Sequence, residues 1–434
     1  MNTRSTATLL TALALSAPPS PAAQDPKPPT RTELKTWTTE YLDFGSRAMG
    51  KDREAQLKIL RRLETAEPLT ERAEKKWRKT LAKAWNKLPE LPFSKGDGHY
   101  WEEEGRGRYI VGGKTRKPKG LLIAMHGGGV GSANAGGAAS AYSPAASAND
   151  WVMIAPQVLE ATECGWTDSG TEEWVFDLIE QARRTYKIDA NNVIFAGHSM
   201  GGYGSWTLGA HHADRVAALA PSAGAPTPVM DRDTKQIIDI DWGVVPSLRN
   251  VPMVVFQSID DPQVPPEPNQ FAVKLVRESR ERWGGYENFD YWELDGLGHG
   301  PPPGGPKAQL ARLASRVRVP VQDVVVWQPV LTWKRQFYWL FWEHPPEGAL
   351  VEARVDREAN KISVNATFHK QSEQGQGLAV LLDDTLVDMD AEVTVDFNGK
   401  QVFRGLPHRR LEALFDTATF GDPGLQYSCK IPLQ

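Results

Sequence analysis

Apolar residues recur along the 434-residue chain with changing periods, and the changes divide it into regions. From Thr32 to about Leu88 the spacing is helical. Leu34, Trp37, Tyr41 and Phe44 form one stripe, and Ala73, Trp77, Leu81, Trp85 and Leu88 form another. Charged residues fill the other faces, and the cluster Lys75, Lys76, Arg78 and Lys79 reads as a solvated surface. From about His99 the pattern becomes short apolar runs alternating with amphipathic helices. "HYWEEEGRGRYIV" predicts strand material with a glycine-containing turn. "GLLIAMHGGG", "DWVMIAPQV", "NNVIFAG", "RVAALAPSAG", "VPMVVFQSIDD" and "NFDYWELDG" predict further strands. In "SGTEEWVFDLIEQARRTY", Trp174, Val175, Leu178, Ile179 and Ala182 share a helical face, with Ser169 and Glu172 at capping-box spacing. Helices are also expected after Ser199 and over Phe271–Trp283. Such alternation predicts an α/β unit over 95–319, a mostly parallel sheet with helices on both faces.

After Pro320 the period falls to two. "KISVNATF" and "AEVTVDFNGKQVF" alternate apolar with polar, and Asn398-Gly399 is a preferred type I′ hairpin turn. Residues 320–434 therefore read as a small antiparallel β-domain of sandwich type. "VWQPVLTWKRQFYWLFW" concentrates Trp327, Trp333, Phe337, Tyr338, Trp339, Phe341 and Trp342. That span suits a core packed between the two units, the simpler reading, or aromatic platforms for a glycan.

Composition narrows the function. A formal net charge of −4 creates no strong field, so neither nucleic acid nor an anionic membrane is an expected partner. Cys164 and Cys429 stand far apart, outside any metal-ligand spacing, and read as free thiols, although one bridge between them stays open. Arg4 precedes "ATLLTALALSA", an apolar run of signal-peptide length that is too short to span a bilayer. Residues 1–23 are thus expected to be an export signal and 24–94 a Pro-rich linker with the helical N-terminal region. The protein is expected to be secreted or periplasmic, without stable membrane insertion.

The chemistry centres on Gly197-His198-Ser199-Met200-Gly201, a match to the G-x-S-x-G nucleophile elbow. The bare motif is weak, but "NVIFA" supplies the strand it needs before it and "GYGSWTLGAHH" the helix after it. Downstream, Asp260-Asp261 ends a strand, where open α/β sheets keep their ligands. Asp261, followed by Pro-Gln-Val-Pro, is preferred as the acid over Asp260. His299, in the glycine-rich loop "DGLGHGPPPGG" after "DYWEL", is the candidate base. "HGGG" after "LLIA" places Gly127 and Gly128 beside Met200 as the oxyanion-binding backbone. Trp166 and Tyr203 are candidate pocket walls. His211 and His212 are adjacent, with side chains expected to diverge on a helix, so no metal site is read there. No cofactor is expected.

These residues, with "GHSMGGYGSW" and "DRVAALAPSAG", resemble the α/β-hydrolase superfamily, and more narrowly the secreted polyhydroxybutyrate-depolymerase-like and feruloyl-esterase-like enzymes. The resemblance covers roughly residues 118–305. It implies an α/β-hydrolase fold, a triad of Ser199, Asp261 and His299, an oxyanion loop at His126–Gly129, and a small-molecule or polymer-borne ester as substrate. One departure is that Gln257-Ser258 stands where the family often has His-Gly before the acid. A serine peptidase resembling the prolyl-oligopeptidase group shares the same parts, and a non-catalytic glycan-binding protein is the rival of another class.

Overall fold

The computed structural model of the protein describes residues 28–89, 93, 95–368 and 375–434, so the expected export signal lies outside the described residues. Among these, no helix is long and apolar enough to cross a membrane. Three helices come first, α1 (Arg31–Asp43), α2 (Gly50–Leu63) and α3 (Glu71–Trp85). Thr30 starts α1 with a reciprocal cap: its hydroxyl accepts from the Glu33 amide, and the Glu33 carboxylate accepts from the Thr30 amide. Thr70 caps α3 through the Ala73 amide.

The central sheet has eight strands: β1 (Gly96–Trp101), β2 (Arg106–Gly113), β3 (Gly120–Met125), β4 (Trp151–Pro156), β5 (Val193–His198), β6 (Ala218–Ser222), β7 (Met253–Ser258) and β8 (Phe289–Leu294). Their spatial order is β1-β2-β4-β3-β5-β6-β7-β8. Only the β1–β2 and β2–β4 pairs are antiparallel. Helices α4 (Ala135–Ala148), α5 (Thr171–Tyr186), α6 (Met200–His211), α7 (Glu267–Trp283) and α8 (Gly305–Ala311) connect and flank these strands. Alternate residues of β3 feed two cores: Leu121, Ile123 and Met125 pack toward α5, α6 and α7, while Leu122 and Ala124 pack toward α4 and α8. Both faces are covered, which is why the central strands are apolar throughout.

Three local expectations are corrected. Gly170, in a left-handed conformation at φ 87°, occupies the N-cap of α5, so Ser169 and Glu172 form no capping box. Glu172 is buried and faces α6 instead: His211 Nδ1 and His212 Nε2 each lie 3.0 Å from its Oε1. The two histidines converge because His212, at φ −123° and ψ 35°, has already left the helix. Helix α7 also begins four residues earlier than its apolar stripe suggests, with Pro268 in its first turn, where the missing N–H is harmless.

The C-terminal part has strands β9 (Val324–Trp327), β10 (Gln336–Phe337), β11 (Leu340–Trp342), β12 (Ala349–Asp356), β13 (Lys361–Phe368), β14 (Leu378–Leu382), β15 (Val393–Phe397), β16 (Lys400–Gly405) and β17 (Cys429–Pro432), with helix α9 (Leu411–Asp416). They form two sheets, ordered β9-β12-β13-β15-β16 and β10-β11-β14-β17. All pairs are antiparallel except β13–β15, which is parallel. Asn398 and Gly399, at φ 48° and 76°, close the two-residue hairpin between β15 and β16.

The aromatic span is core. Trp327, Phe337, Tyr338, Trp339, Phe341 and Trp342 are buried in the same cluster as the inner face of the central sheet, and only Trp333 of the seven is partly exposed. Trp327 stacks on Phe337 at 5.4 Å, and the Tyr338 hydroxyl donates to Ala213 O just beyond α6. Rings held this way cannot offer platforms to a glycan. The N-terminal helices pack on α9 through Tyr41, Leu60, Leu81, Trp85, Leu414 and Phe415, and Arg53 is clasped between Glu343 and Asp416.

Candidate active site

Strands β3 and β5 are neighbours, yet the helix after β3 leads to β4 on one side and the helix after β5 leads to β6 on the other. A crevice forms at the carboxyl ends of two such strands, and that is where open α/β sheets bind ligands. Ser199 sits there, between the last residue of β5 and the first of α6. Its φ of 60° and ψ of −126° are strained for a residue with a Cβ. Neighbouring glycines make the turn possible. A Cβ on Gly197 would come within 2.2 Å of Gly201 O, and one on Gly201 within 2.2 Å of Met125 O. The backbone of Ser199 is held on both sides: its amide donates to Ser222 O at 2.9 Å, and its carbonyl accepts from Gly202 and Tyr203.

The loop after β3 reaches the serine. A Cβ on Gly127 would lie 3.1 Å from Ser199 Cβ, and Gly128, at φ 154°, pairs with Ala133 in a two-residue ribbon. His126, 2 % exposed, fastens this loop. Its Nε2 accepts the Val158 amide hydrogen at 3.1 Å, which assigns the ring proton to Nδ1, donating to Gly127 O at 2.8 Å. Burial lowers the pKa of His126, which keeps the imidazole neutral in this role. Met200 opens α6 directly after the serine.

Asp261 follows β7 with its side chain fully buried. Its Oδ2 accepts from His299 Nδ1 at 2.8 Å, and its Oδ1 accepts from the amides of Gln263 and Val264 at 2.9 Å each. That bond leaves Nε2 as the unprotonated nitrogen of a neutral His299 ring. Asp260 points elsewhere: its Oδ1 accepts from the Ser258 hydroxyl and from the amides of Gly296, Leu297 and Gly298. His198, next to the serine, donates Nε2–H to His299 O at 3.1 Å and accepts at Nδ1 from the Ser222 hydroxyl at 3.2 Å. Burial, and then the neighbouring His299, lower the pKa of His198. Among the described residues no hydrogen bond joins Ser199 Oγ to His299; such contacts often tighten only when substrate is bound.

The geometry thus brings Ser199, Asp261, His299, Gly127, Gly128 and Met200 to one edge of the sheet. The motif reading of Ser199 did not give His126, His198 or Ser222 their fastening roles. Trp166 is not a pocket wall: it is fully buried, with Nε1 donating to His126 O at 3.3 Å. Tyr203 stays partly exposed, its hydroxyl 2.9 Å from Thr167 Oγ1 and its pKa pushed up to about 12 by burial. No group of side chains able to hold a metal ion occurs among the described residues, and both cysteines are free.

No family model matches the chain. A bifunctional acetylxylan esterase/xylanase of Neocallimastix patriciarum is 36% identical over 61 residues, 14% of this chain and 9% of that protein. Solved structures it is similar to include a thermostable esterase, at 24% identity and a TM-score of 0.39, covering 49% of this chain and 60% of that one. The poly(3-hydroxybutyrate) depolymerase LpqC of Bordetella parapertussis is 16% identical with a TM-score of 0.35, covering 48% and 85%. A ferulic acid esterase of Anaeromyces mucronatus is 15% identical with a TM-score of 0.36, covering 53% and 92%. The strand order, the sharp turn from β5 into α6 and the helices on both faces are those of the α/β-hydrolase fold, which this chain has.

Proposed function

We propose that the protein is an exported serine hydrolase that cleaves carboxylic esters. The observation that carries this reading is the buried Asp261–His299 bond, with the His299 carbonyl held by His198, the residue before the strained Ser199. In this mechanism His299 Nε2 takes the Ser199 hydroxyl proton as Oγ attacks the ester carbonyl, and Asp261 orients and stabilises the imidazolium. Charge developing on the carbonyl oxygen is met by the backbone amides of Met200 and of the Gly127–Gly128 loop, held beforehand by His126. His299 then returns the proton to the leaving alcohol, and water releases the acyl group by the reverse sequence. Ester-cleaving proteins among those the chain is similar to support an ester rather than an amide as substrate.

A fluorophosphonate probe should label the wild-type protein at Ser199, and Ser199→Ala should abolish labelling while retaining the fold. A panel of acetyl, butyryl and feruloyl aryl esters beside a prolyl anilide then reports the substrate class. Folded wild-type protein that resists the probe would refute the mechanism. Rapid anilide turnover without ester turnover would instead select the peptidase.

A further inference from the structure

We infer that Asp260, the carboxylate not paired with His299, is a positioning residue that sets where the imidazole stands. The inference rests on the proposed reaction and extends it. The loop after β8 turns sharply, with Gly296 at φ 80° and Gly298 at φ 51°, and nothing lies within 4 Å of a Cβ at either position. No neighbouring atom therefore packs where a side chain at either glycine would stand. The backbone of this segment is tied to Asp260. Its Oδ1 accepts from three successive amides, Gly296 at 3.1 Å, Leu297 at 3.2 Å and Gly298 at 3.0 Å, immediately before His299. Ser258, the buried last residue of β7, completes the clasp: its hydroxyl donates to Asp260 Oδ1 and accepts from the Leu297 amide at 3.2 Å.

The division of labour follows from direction. Residues 259–260 form a turn that the Asp261 amide closes on Ser258 O at 3.3 Å, and the two carboxylates leave it for different partners, Asp261 for the imidazole and Asp260 for the backbone that carries it. Asp261 restrains the ring about Nδ1 but leaves the loop free to swing about that single bond. The His198–His299 carbonyl bond adds a second restraint at 3.1 Å. Asp260 supplies the third, at the three residues that lead into His299. Three restraints fix a rigid ring in space where one would let it pivot. Asp260 itself touches none of the groups assigned to substrate, so its loss should alter the chemical step and leave binding alone.

Steady-state kinetics on an aryl acetate, together with the rate of fluorophosphonate labelling at Ser199, test this in the full-length protein. Asp260→Ala should lower kcat and the labelling rate by about 10- to 100-fold, the range expected when a reacting group moves by about 1 Å, with KM within about twofold. Asp260→Asn keeps an oxygen acceptor and should restore kcat to within about threefold of wild type. A change confined to KM, or equal losses in the Ala and Asn variants, would overturn the inference. If Asp260→Ala fails to fold, Asp260→Asn together with Ser258→Ala decides. Ser258→Ala removes one donor from the clasp and should lower kcat severalfold at unchanged KM; wild-type kcat in Ser258→Ala would overturn the inference. Wild-type labelling separates the two proposals: an unlabelled wild type sinks both, whereas labelling of Asp260→Ala at the wild-type rate sinks this one alone.

Discussion

Gly201→Ala probes the elbow with the smallest possible perturbation. The added methyl would stand 2.2 Å from Met125 O, 2.7 Å from Met125 C and 2.9 Å from His126 O, all backbone atoms of the strand end and loop beside the serine. A carbon needs roughly 3.2 Å or more from a carbonyl oxygen, so α6 and the end of β3 must separate by about 1 Å. Neither partner can yield by a rotamer change, because both sides of the contact are main chain. Displacement would shift Ser199 and Met200, which open α6, away from Gly127 and the His126 latch. Overpacking of this kind costs about 1–3 kcal/mol, and a displacement of about 1 Å at reacting atoms can cost 10²-fold in rate. The variant should therefore melt several degrees lower and lose about 10²-fold in kcat/KM. Gly129→Ala is the control, since a methyl there meets nothing within 4 Å, and it should match wild type in melting temperature. Aryl-ester kinetics beside thermal denaturation measure both quantities. Wild-type kcat/KM and melting temperature in Gly201→Ala would refute the steric argument for the elbow.

Asp261→Asn keeps the shape of the acid but removes the charge that orients His299, and kcat should fall by about 10⁴-fold with KM little changed. A loss of less than tenfold would return the role of acid to Asp260. A second prediction concerns pH. His212 is fully buried, stacked on Phe176 at 3.6 Å, with Nε2 near Glu172 Oε1 but forming no aligned hydrogen bond. Burial first, then Lys334, Arg215, His211 and Arg47, hold its pKa well below the ordinary histidine value. The unfolded chain then binds the proton more readily than the fold does. The stability that the neutral ring contributes is whole above the unfolded pKa of about 6.5 and is lost as pH falls below it. Melting temperature should drop between pH 7 and pH 5, and His212→Phe should flatten that slope; an unchanged slope would show that His212 does not titrate there.

Much of this architecture is legible in local residue patterns because the physics behind it is local. Period-two and short apolar runs mark strands wherever one or both faces must leave water, and β1 to β8 fall where those runs stand. The elbow is readable because only glycine tolerates the contacts at 197 and 201. Reading failed where the determining contact is distant in sequence. Ser169 and Glu172 have capping-box spacing, but Glu172 is taken by His211 and His212, and a left-handed Gly170 starts the helix. Trp166 looks like an exposed wall in its polar loop, yet Gly204 on α6 leaves the space that buries it.

The contrast between Asp260 and Asp261 shows the same boundary at the proposed site. By itself the sequence determined that a carboxylate would stand at the end of β7, since the apolar run "MVVFQS" stops there and a charge cannot continue it. It determined equally that a serine would crown the turn after β5 and that a histidine would ride a glycine-rich loop after β8. The Pro-Gln-Val-Pro that follows favoured Asp261 over Asp260, but the partner each carboxylate takes was decided by tertiary structure. The amides of Gln263 and Val264 hold Asp261 inward, while those of residues 296–298 draw Asp260 outward, from more than 30 residues along the chain. Periodicity records whether a side chain faces water or core. The partner of a polar group depends on which distant main chain the fold brings within 3 Å, and no local pattern carries that information.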